Sequence, residues 1–557
     1  MLVLGTRRRQ GEAVLNFTNH SAEQEPEGFR APHSRITSAA FSVGIAVLIS
    51  RFFGLAREVV LARYFGAGLH TDAFNVAYRI PNLLRDLFAE GALSSAFVPT
   101  FIRRMTQDGK EQAWLLANRV LSALLVIMGA LTLIFFFGAK IFVYSLASGY
   151  ASIPEKFELT VQMTRIMSPF LLWISLAAAA MGLLNACGRF FVPAMASSAF
   201  NICCILAGIF LSPLMSHWGL HPIVSMAIGA LIGGASQFFV MMPSAYAAGF
   251  RYRFVLDFSD PGLRHIAHLM LPAVVGLSAM QINIVVDSQI ASIFGNGPVS
   301  WLNYGFRLIQ FPLGVFGIAI ATSTMTTVSH YAALNAKDKV CQAVDASLKL
   351  AACLAFPATI GLMVFRREIV QLLFEGGLFL PEHTQKTSQV VLLYALGLFS
   401  YAAVKILVPV FYALDDARTP VRISLISVAV KIALNFAFFL PLGFLGLPLA
   451  TSVASWLNLT LLIHHLRRGT GVSAGMPEAR AYLRIALAST AMGALALLAF
   501  YGTGALFPES HIFGPHFRLG LAILIGTASL VPLYRIFRVH EATELYRVAA
   551  LLLRKFR

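Results

Sequence analysis

The stretch that decides the fold is SRFFGLAREVVLARYFGAGLHTDAFNVAYRIPNLLRDLFAEGALSSAFVPT, residues 50–100. It is mostly apolar, yet it carries Arg51, Arg57, Arg63, Asp72, Arg79, Arg85, Asp86 and Glu90. From Asp72 onward, Asp72, Asn75, Arg79, Asn82, Asp86 and Glu90 recur in steps of three and four, which puts them on one face of a helix. Phe74, Ala77, Tyr78, Leu84 and Leu87 make the opposite face. Ionisable side chains deep in a bilayer are costly and rarely meet acyl chains, so this stripe predicts the wall of a wet cavity. A helix lying on the membrane surface would show the same stripe. Pro81 and Gly91 interrupt the run as broken transporter helices do, and another apolar segment follows at once, which favours the cavity.

The rest of the chain is built for lipid. Of its 557 residues, 57% are hydrophobic and 12% charged, with a mean hydropathy of +0.73; soluble domains carry about 25% charged residues. Apolar runs of about 20 residues recur, giving about fourteen predicted transmembrane helices in an all-α polytopic membrane protein. A net charge of +17 could suggest nucleic acid as a partner. Its placement says otherwise, because the lysines and arginines gather in alternate loops, the positive-inside pattern, which predicts both termini in the cytosol and no nucleic-acid partner. Cys187, Cys203, Cys204, Cys341 and Cys353 have neither zinc spacing nor a disulfide framework and read as packing residues, with no metal site.

Two halves share a pattern. ARYFGAG at 62–68 is matched by ASIFGNG at 291–297, and each is followed by a helix with an arginine and then a proline: Arg79 with Pro81, Arg307 with Pro312. NACGRFFVP ending at Pro193 pairs with YALDDARTP ending at Pro420. The offset is about 227 to 229 residues, the sign of an internal repeat. Six spans separate matching points, so the halves enter the membrane in the same sense. Parallel repeats place a shared cavity between two six-helix bundles.

The expected organisation is a disordered cytosolic tail over 1–34, an N-lobe over 35–250 and a C-lobe over 251–468. Two extra C-terminal helices follow over 469–538, then a basic amphipathic cytosolic tail over 539–557 that suits anionic lipid. In the second half the stripe is Asn303, Arg307 and Gln310. Asp287 and Lys431 are two further charges inside apolar runs; with Asn435 one turn beyond Lys431, they are expected to pair within the C-lobe, although Lys431 reaching an interface is the alternative.

Nothing in the sequence supports chemistry on a bound substrate. There is no Walker loop, nucleophile elbow or paired Cys/His ligand set, and no large extramembrane segment, so the expectation is a transporter and no enzyme. In the cavity stretches Arg51, Arg57, Arg79, Arg85 and Arg307 outnumber Asp72, Asp86 and Glu90. Guanidinium grips phosphate oxygens with paired donors, so an anionic, phosphorylated cargo follows.

The opening stretch, with WLNYGFRLIQFPLGVFGIAIAT at 301–322, FYALDDARTPVRIS at 411–424 and LGLPLATSVASWLN at 445–458, resembles the MurJ/MviN family of lipid II flippases, within the superfamily that also holds the MATE exporters. The resemblance runs from about residue 35 to the C-terminus. It implies a multi-pass protein of the bacterial inner membrane, with two lobes and two extra helices that form a groove for the lipid tail. Its cargo would be undecaprenyl-pyrophosphate-linked disaccharide-pentapeptide, moved to the outer leaflet by alternating access for peptidoglycan synthesis. By motif, the resemblance assigns substrate binding to Arg51, Arg57, Asp72, Arg79, Arg85, Glu90 and Arg307. Phe306 and Gln310 stand where some relatives carry acids. No cofactor is implied; coupling to the membrane potential or to a monovalent cation is, with Asp72 and Asp287 as candidate sites. Lipid II, membrane lipids and the cell-wall synthesis machinery are the expected partners of a monomer. The alternatives are a flippase for another polyprenyl-linked oligosaccharide and a MATE-type exporter, which should have an acidic cavity.

Overall fold

A computed structural model describes residues 31–85, 93–470, 479–504, 514–539 and 541–542. Helices α1 (Ala31–Phe65), α2 (Leu69–Leu84), α3 (Ser94–Gln107), α4 (Lys110–Phe137), α5 (Ala139–Leu146), α6 (Pro154–Met167) and α7 (Phe170–Ala186) come first. Then come α8 (Phe191–Leu206), α9 (Ser212–His217), α10 (Val224–Ala247), α11 (Pro261–Ile293), α12 (Pro298–Pro312), α13 (Ile318–Ala333) and α14 (Lys337–Val364). Helices α15 (Arg366–Phe374), α16 (Pro381–Ala395), α17 (Leu398–Ala413), α18 (Arg418–Leu442), α19 (Gly446–Thr470), α20 (Ala479–Gly502) and α21 (Gly514–Ile536) complete the series. Among the described residues no strand forms; a single bridge joins Gly376 and Phe379. Lipid leaves backbone groups no partner but the helix itself, so this is the expected all-α membrane architecture.

Eight described helical runs are long and apolar enough to cross a membrane, or nine if the bent pair α16–α17 counts as one. One of the eight, Arg418–Arg468, has 51 residues. At about 1.5 Å per residue it would be roughly two and a half times the thickness of a bilayer core. It turns at Gly443, whose φ of +57° suits a residue without Cβ. The about fourteen crossings expected from sequence exceed the helices that pass on length and apolarity alone.

Helix α10 packs against α7 and α8, and α8 against α1, in the first half. In the second, α13, α14, α17 and α19 pack together, and α20 joins α14 and α21. The small residues Gly229, Gly233 and Gly234 let α10 lie close to α8 and α7: a Cβ on Gly233 would meet the Phe200 carbonyl oxygen at 2.9 Å. The halves meet where α2 abuts α12 and where α11 abuts α3.

Residues 31–34, expected in the N-terminal tail, are the first turn of α1, where Pro32 suits a helix start that needs no N–H. Residues 1–30, the amphipathic tail from 543 on, and the expected site residue Glu90 with its neighbour Asp86 lie outside the described residues.

Candidate functional site

Between the two halves lies a cavity of about 1200 Å³. Among the described residues six cations line it: Arg51 and Arg57 from α1, Arg79 from α2, Arg85 just beyond α2, Arg307 from α12 and Lys431 from α18. Two carboxylates among the described residues do so, Glu58 and Asp287. Asn75, Asn82, Asn303 and Gln310 add neutral polar groups, so the stripes of both halves reach the same space. Phe74 and Tyr78, expected on the apolar back of α2, reach it as well.

At one wall Glu58 stands between arginines of the two halves. Its Oε1 accepts from Arg57 Nη2 at 2.5 Å and faces Arg307 Nε at 3.3 Å. The Arg57 guanidinium lies 5.5 Å from the Phe200 ring and 5.9 Å from that of Tyr78, which holds its plane in position. The Arg307 side chain is 40% exposed, and beyond Glu58 its one further contact among the described residues is a long 3.5 Å to Gln310, so its remaining donors face the cavity. One carboxylate between two guanidiniums leaves a net positive charge there. Arg79 donates to the Ser288 hydroxyl.

Elsewhere in the lining Asp287 accepts from Lys431 Nζ at 2.6 Å and from Asn435 Nδ2 at 2.9 Å. Lys431 therefore ends on a carboxylate and does not reach out to an interface. Asn435 lies behind it, buried.

Asp72 is placed differently from the sequence expectation. It is fully buried and absent from the cavity wall, at the end of the bundle where α12 begins. Oδ2 accepts from Lys156 Nζ at 2.8 Å and from the Gly297 N–H at 2.7 Å. Oδ1 accepts from the Ser300 N–H at 2.8 Å and its hydroxyl at 2.7 Å. A carboxylate on the first N–H groups of α12 satisfies orphan donors and meets the positive end of the helix dipole. Lys156 is fully buried too: it donates also to the Gly295 carbonyl and the Asn296 amide oxygen, and its ammonium lies 4.0 Å from the Tyr150 ring centre. This cluster is a bolt between the halves, and Asp72 belongs to it and not to the cavity lining.

More contacts close the same end. Ser148 and Gly149 pair with Gln289 and Ser292 on α11, and the Leu378 N–H donates to the Arg63 carbonyl at 2.9 Å. The Tyr304 hydroxyl donates to the Gly66 carbonyl.

Two contributors escape a reading of sequence alone. Glu58 sits within the motif SRFFGLARE, beside the arginine that draws attention. Lys156 reads as an exposed loop cation, although Pro154 before it marks a helix start. Among the described residues no cluster of His, Cys, Asp or Glu could hold a metal ion.

A helical membrane protein with a cationic cavity between two repeated bundles, bolted at one end, is a transporter of anionic cargo. The chain belongs to the family described as lipid II flippase MurJ, whose model matches residues 61–521. It is 34% identical over 434 residues to the lipid II flippase MurJ of Burkholderia cenocepacia, covering 77% of this chain and 83% of that one. It is 37% identical over 453 residues to a Vibrio cholerae protein titled "Probable lipid II flippase MurJ", covering 78% of this chain and 85% of the relative. A solved structure of lipid II flippase MurJ in an inward closed conformation superposes with a TM-score of 0.72 at 26% identity, over 88% of this chain and 98% of that chain. An inward-facing MATE-family transporter shares the fold alone, with a TM-score of 0.60 at 15% identity, over 77% of this chain and all of that one. The protein is thus a multi-pass bacterial inner-membrane transporter and not an enzyme.

Proposed function

We propose that this chain carries lipid II from the inner to the outer leaflet by alternating access, with the cavity arginines gripping the pyrophosphate. The observation that supports this reading is the excess, among the described residues, of six cations over two carboxylates around one cavity shared by both halves. Arg57 and Arg307 hold guanidinium forks ready for phosphate oxygens, while the sugar-peptide head occupies the wet space and the polyprenyl tail stays in lipid. A MATE-type substrate, a cationic drug, would be repelled by the same wall.

In this reading 35–250 and 251–468 are the lobes that rock, and α20 and α21 guide the tail. Both termini are cytosolic, so the bolted end at Asp72 faces outward and loading occurs from the cytosolic leaflet. The transporter works as a monomer and delivers to the cell-wall synthesis machinery. The two candidate carboxylates for a coupling ion already hold lysine ammoniums, Asp72 at 2.8 Å and Asp287 at 2.6 Å. A tethered cation leaves neither open to sodium, which points to the membrane potential as the drive. With the cytosol negative, each negative charge moved outward releases about 2.3 kcal/mol per 100 mV.

Depletion complementation tests the reading. In cells depleted of their own lipid II flippase, this protein restores growth and outer-leaflet lipid II, and well-expressed Arg57→Ala does not. A wild type that is inserted yet never rescues would contradict it and favour another polyprenyl-linked oligosaccharide as cargo.

A further inference from the structure

Arg165 lies near the end of α6, inside the apolar run Pro154–Ala186, and among the described residues it makes no ion pair and no hydrogen bond. Its Nε is buried without a partner; the residue as a whole is half-buried, and its unpartnered Nη groups open to the surface. Gln162, one turn earlier, likewise makes no hydrogen bond among the described residues. Glu155, Glu158, Gln162, Arg165 and Pro169 follow in steps of three and four, which puts them on one helical face. The two acids are exposed and the other three half-buried, while Met163, Thr164 and Met167 on the opposite face are buried. Glu158 is held by Lys140 Nζ at 2.9 Å. That pair sets the α4–α5 turn beside the stripe, and the turn exposes Leu133, Phe137 and Ile141. Large apolar side chains exposed on a membrane helix face acyl chains, so the two free donors stand at the edge of a lipid-facing surface.

Depth along the helix decides what meets them. Helix α6 starts at the bolted end, where Lys156 holds Asp72. The run from Pro154 has 33 residues, about 50 Å at about 1.5 Å each, against a bilayer core of about 30 Å. With the excess shared between the ends, Arg165 lies roughly 6 Å inside the core, and its side chain, tilted towards the helix start, carries the guanidinium to the level of the lipid phosphates. An arginine at that depth is costly unless an anion meets it. We propose that Arg165 and Gln162 bind the phosphate of an anionic glycerophospholipid in the leaflet at the bolted end, with its acyl chains along Leu133, Phe137 and Ile141. The guanidinium fork and the amide supply donors for the phosphodiester oxygens. The nearer acid of the stripe, Glu158, is taken by Lys140, which leaves no acid beside the site for the ammonium of a zwitterionic headgroup. Neither Arg165 nor Gln162 lines the cavity, so this site is separate from the one that takes the cargo.

Native mass spectrometry of the full chain in detergent, titrated with phosphatidylglycerol, phosphatidylcholine or dioleoylglycerol, tests the site in wild type, Arg165→Gln, Arg165→Lys, Gln162→Leu and Glu158→Gln. The expected result is one phosphatidylglycerol held more tightly than phosphatidylcholine, weakened roughly fivefold in Arg165→Gln and less in Arg165→Lys, which keeps the charge and loses the fork. Dioleoylglycerol, which has the chains without the phosphate, binds wild type and Arg165→Gln alike. Gln162→Leu also weakens phosphatidylglycerol, which keeps the test valid if Arg165→Gln folds poorly. Equal phosphatidylglycerol binding in wild type, Gln162→Leu and any folded Arg165 variant overturns the proposal, and so does phosphatidylcholine bound as tightly as phosphatidylglycerol. A loss in Glu158→Gln as large as that in Arg165→Gln would also overturn it, by assigning the arginine to an ion pair within α6. Displacement of the bound phosphatidylglycerol by equimolar undecaprenyl diphosphate would assign the site to the cargo and overturn the phospholipid. None of these outcomes bears on the flippase reading, which depletion complementation tests by itself.

Discussion

Asn75 and Asn303 are hydrogen bonded to each other, Nδ2 of Asn303 donating to Oδ1 of Asn75 at 3.1 Å, and they are 228 positions apart in the chain. The same separation relates Asp72 to Ser300, also bonded directly. Arg79 and Arg307 stand at that spacing too. Repeat-equivalent residues can touch only where an axis relating the halves passes, so the axis runs along the contact of α2 with α12 and beside the cavity.

The Asp72 bolt should govern stability. Removing one partner of a buried ion pair strands the other charge, at a cost of about 3–5 kcal/mol. Asp72→Ala is therefore expected to lower the melting temperature sharply, and adding Lys156→Met to recover part of the loss. A double mutant no better than Asp72→Ala would show that the pair itself does not carry the effect.

Gly377 makes a sharper test of the closed end. Its φ is +57°, and a Cβ would lie 2.2 Å from the Arg63 carbonyl oxygen on the other half. Gly377→Ala should part the loop from α1 and raise the labelling of a cysteine placed at Leu378 by a membrane-impermeant reagent. Labelling equal to that of the unsubstituted background would mean the contact does not hold the end shut.

Sodium should be dispensable. With Lys431 occupying Asp287, replacing sodium by choline at constant potential is expected to leave flipping unchanged, whereas collapsing the potential slows it. Lys431→Ala and Asp287→Ala should each impair folding or transport, with the double variant less than additive. If Lys431→Ala alone is silent, the pair has no role.

Acid should weaken the protein through two stacked histidines at the α12 end. The rings of His70 and His221 lie 3.6 Å apart, nearly parallel, with Glu155 3.9 Å from His70 and the Ile223 N–H donating to His221 Nδ1. Burial pushes both imidazoles below the usual histidine range, His221 to about 4, to which His70 adds; Glu155 opposes the shift on His70. The unfolded chain takes up these protons first, so stability is full above the ordinary histidine range near pH 6.5 and falls as pH drops towards about 4. Melting temperatures across this window should decline in wild type and decline less in His221→Gln. Equal slopes would remove the histidines from the acid response.

The repeat, the striped face and the cationic excess were legible because they are matters of spacing and residue type. What spacing cannot give is depth along a helix axis. Asp72 is in phase with Asn75 and Arg79, but it occupies the first turn of α2, past the cavity and against α12. Lys156 looked like a loop cation because only the fold brings Asp72, Gly295 and Tyr150 around it. Glu58 was hidden by adjacency, since its role depends on Arg307 arriving from the other half.

The central claim is that cavity guanidiniums hold the pyrophosphate, and binding of undecaprenyl diphosphate against uncharged undecaprenol to wild type, Arg307→Gln and Arg307→Lys tests it most directly. The account predicts that Arg307→Gln loses at least about tenfold in affinity for the diphosphate, that Arg307→Lys restores it only in part because lysine lacks the fork, and that undecaprenol binding does not change. Equal diphosphate affinity in wild type and folded Arg307→Gln would contradict it.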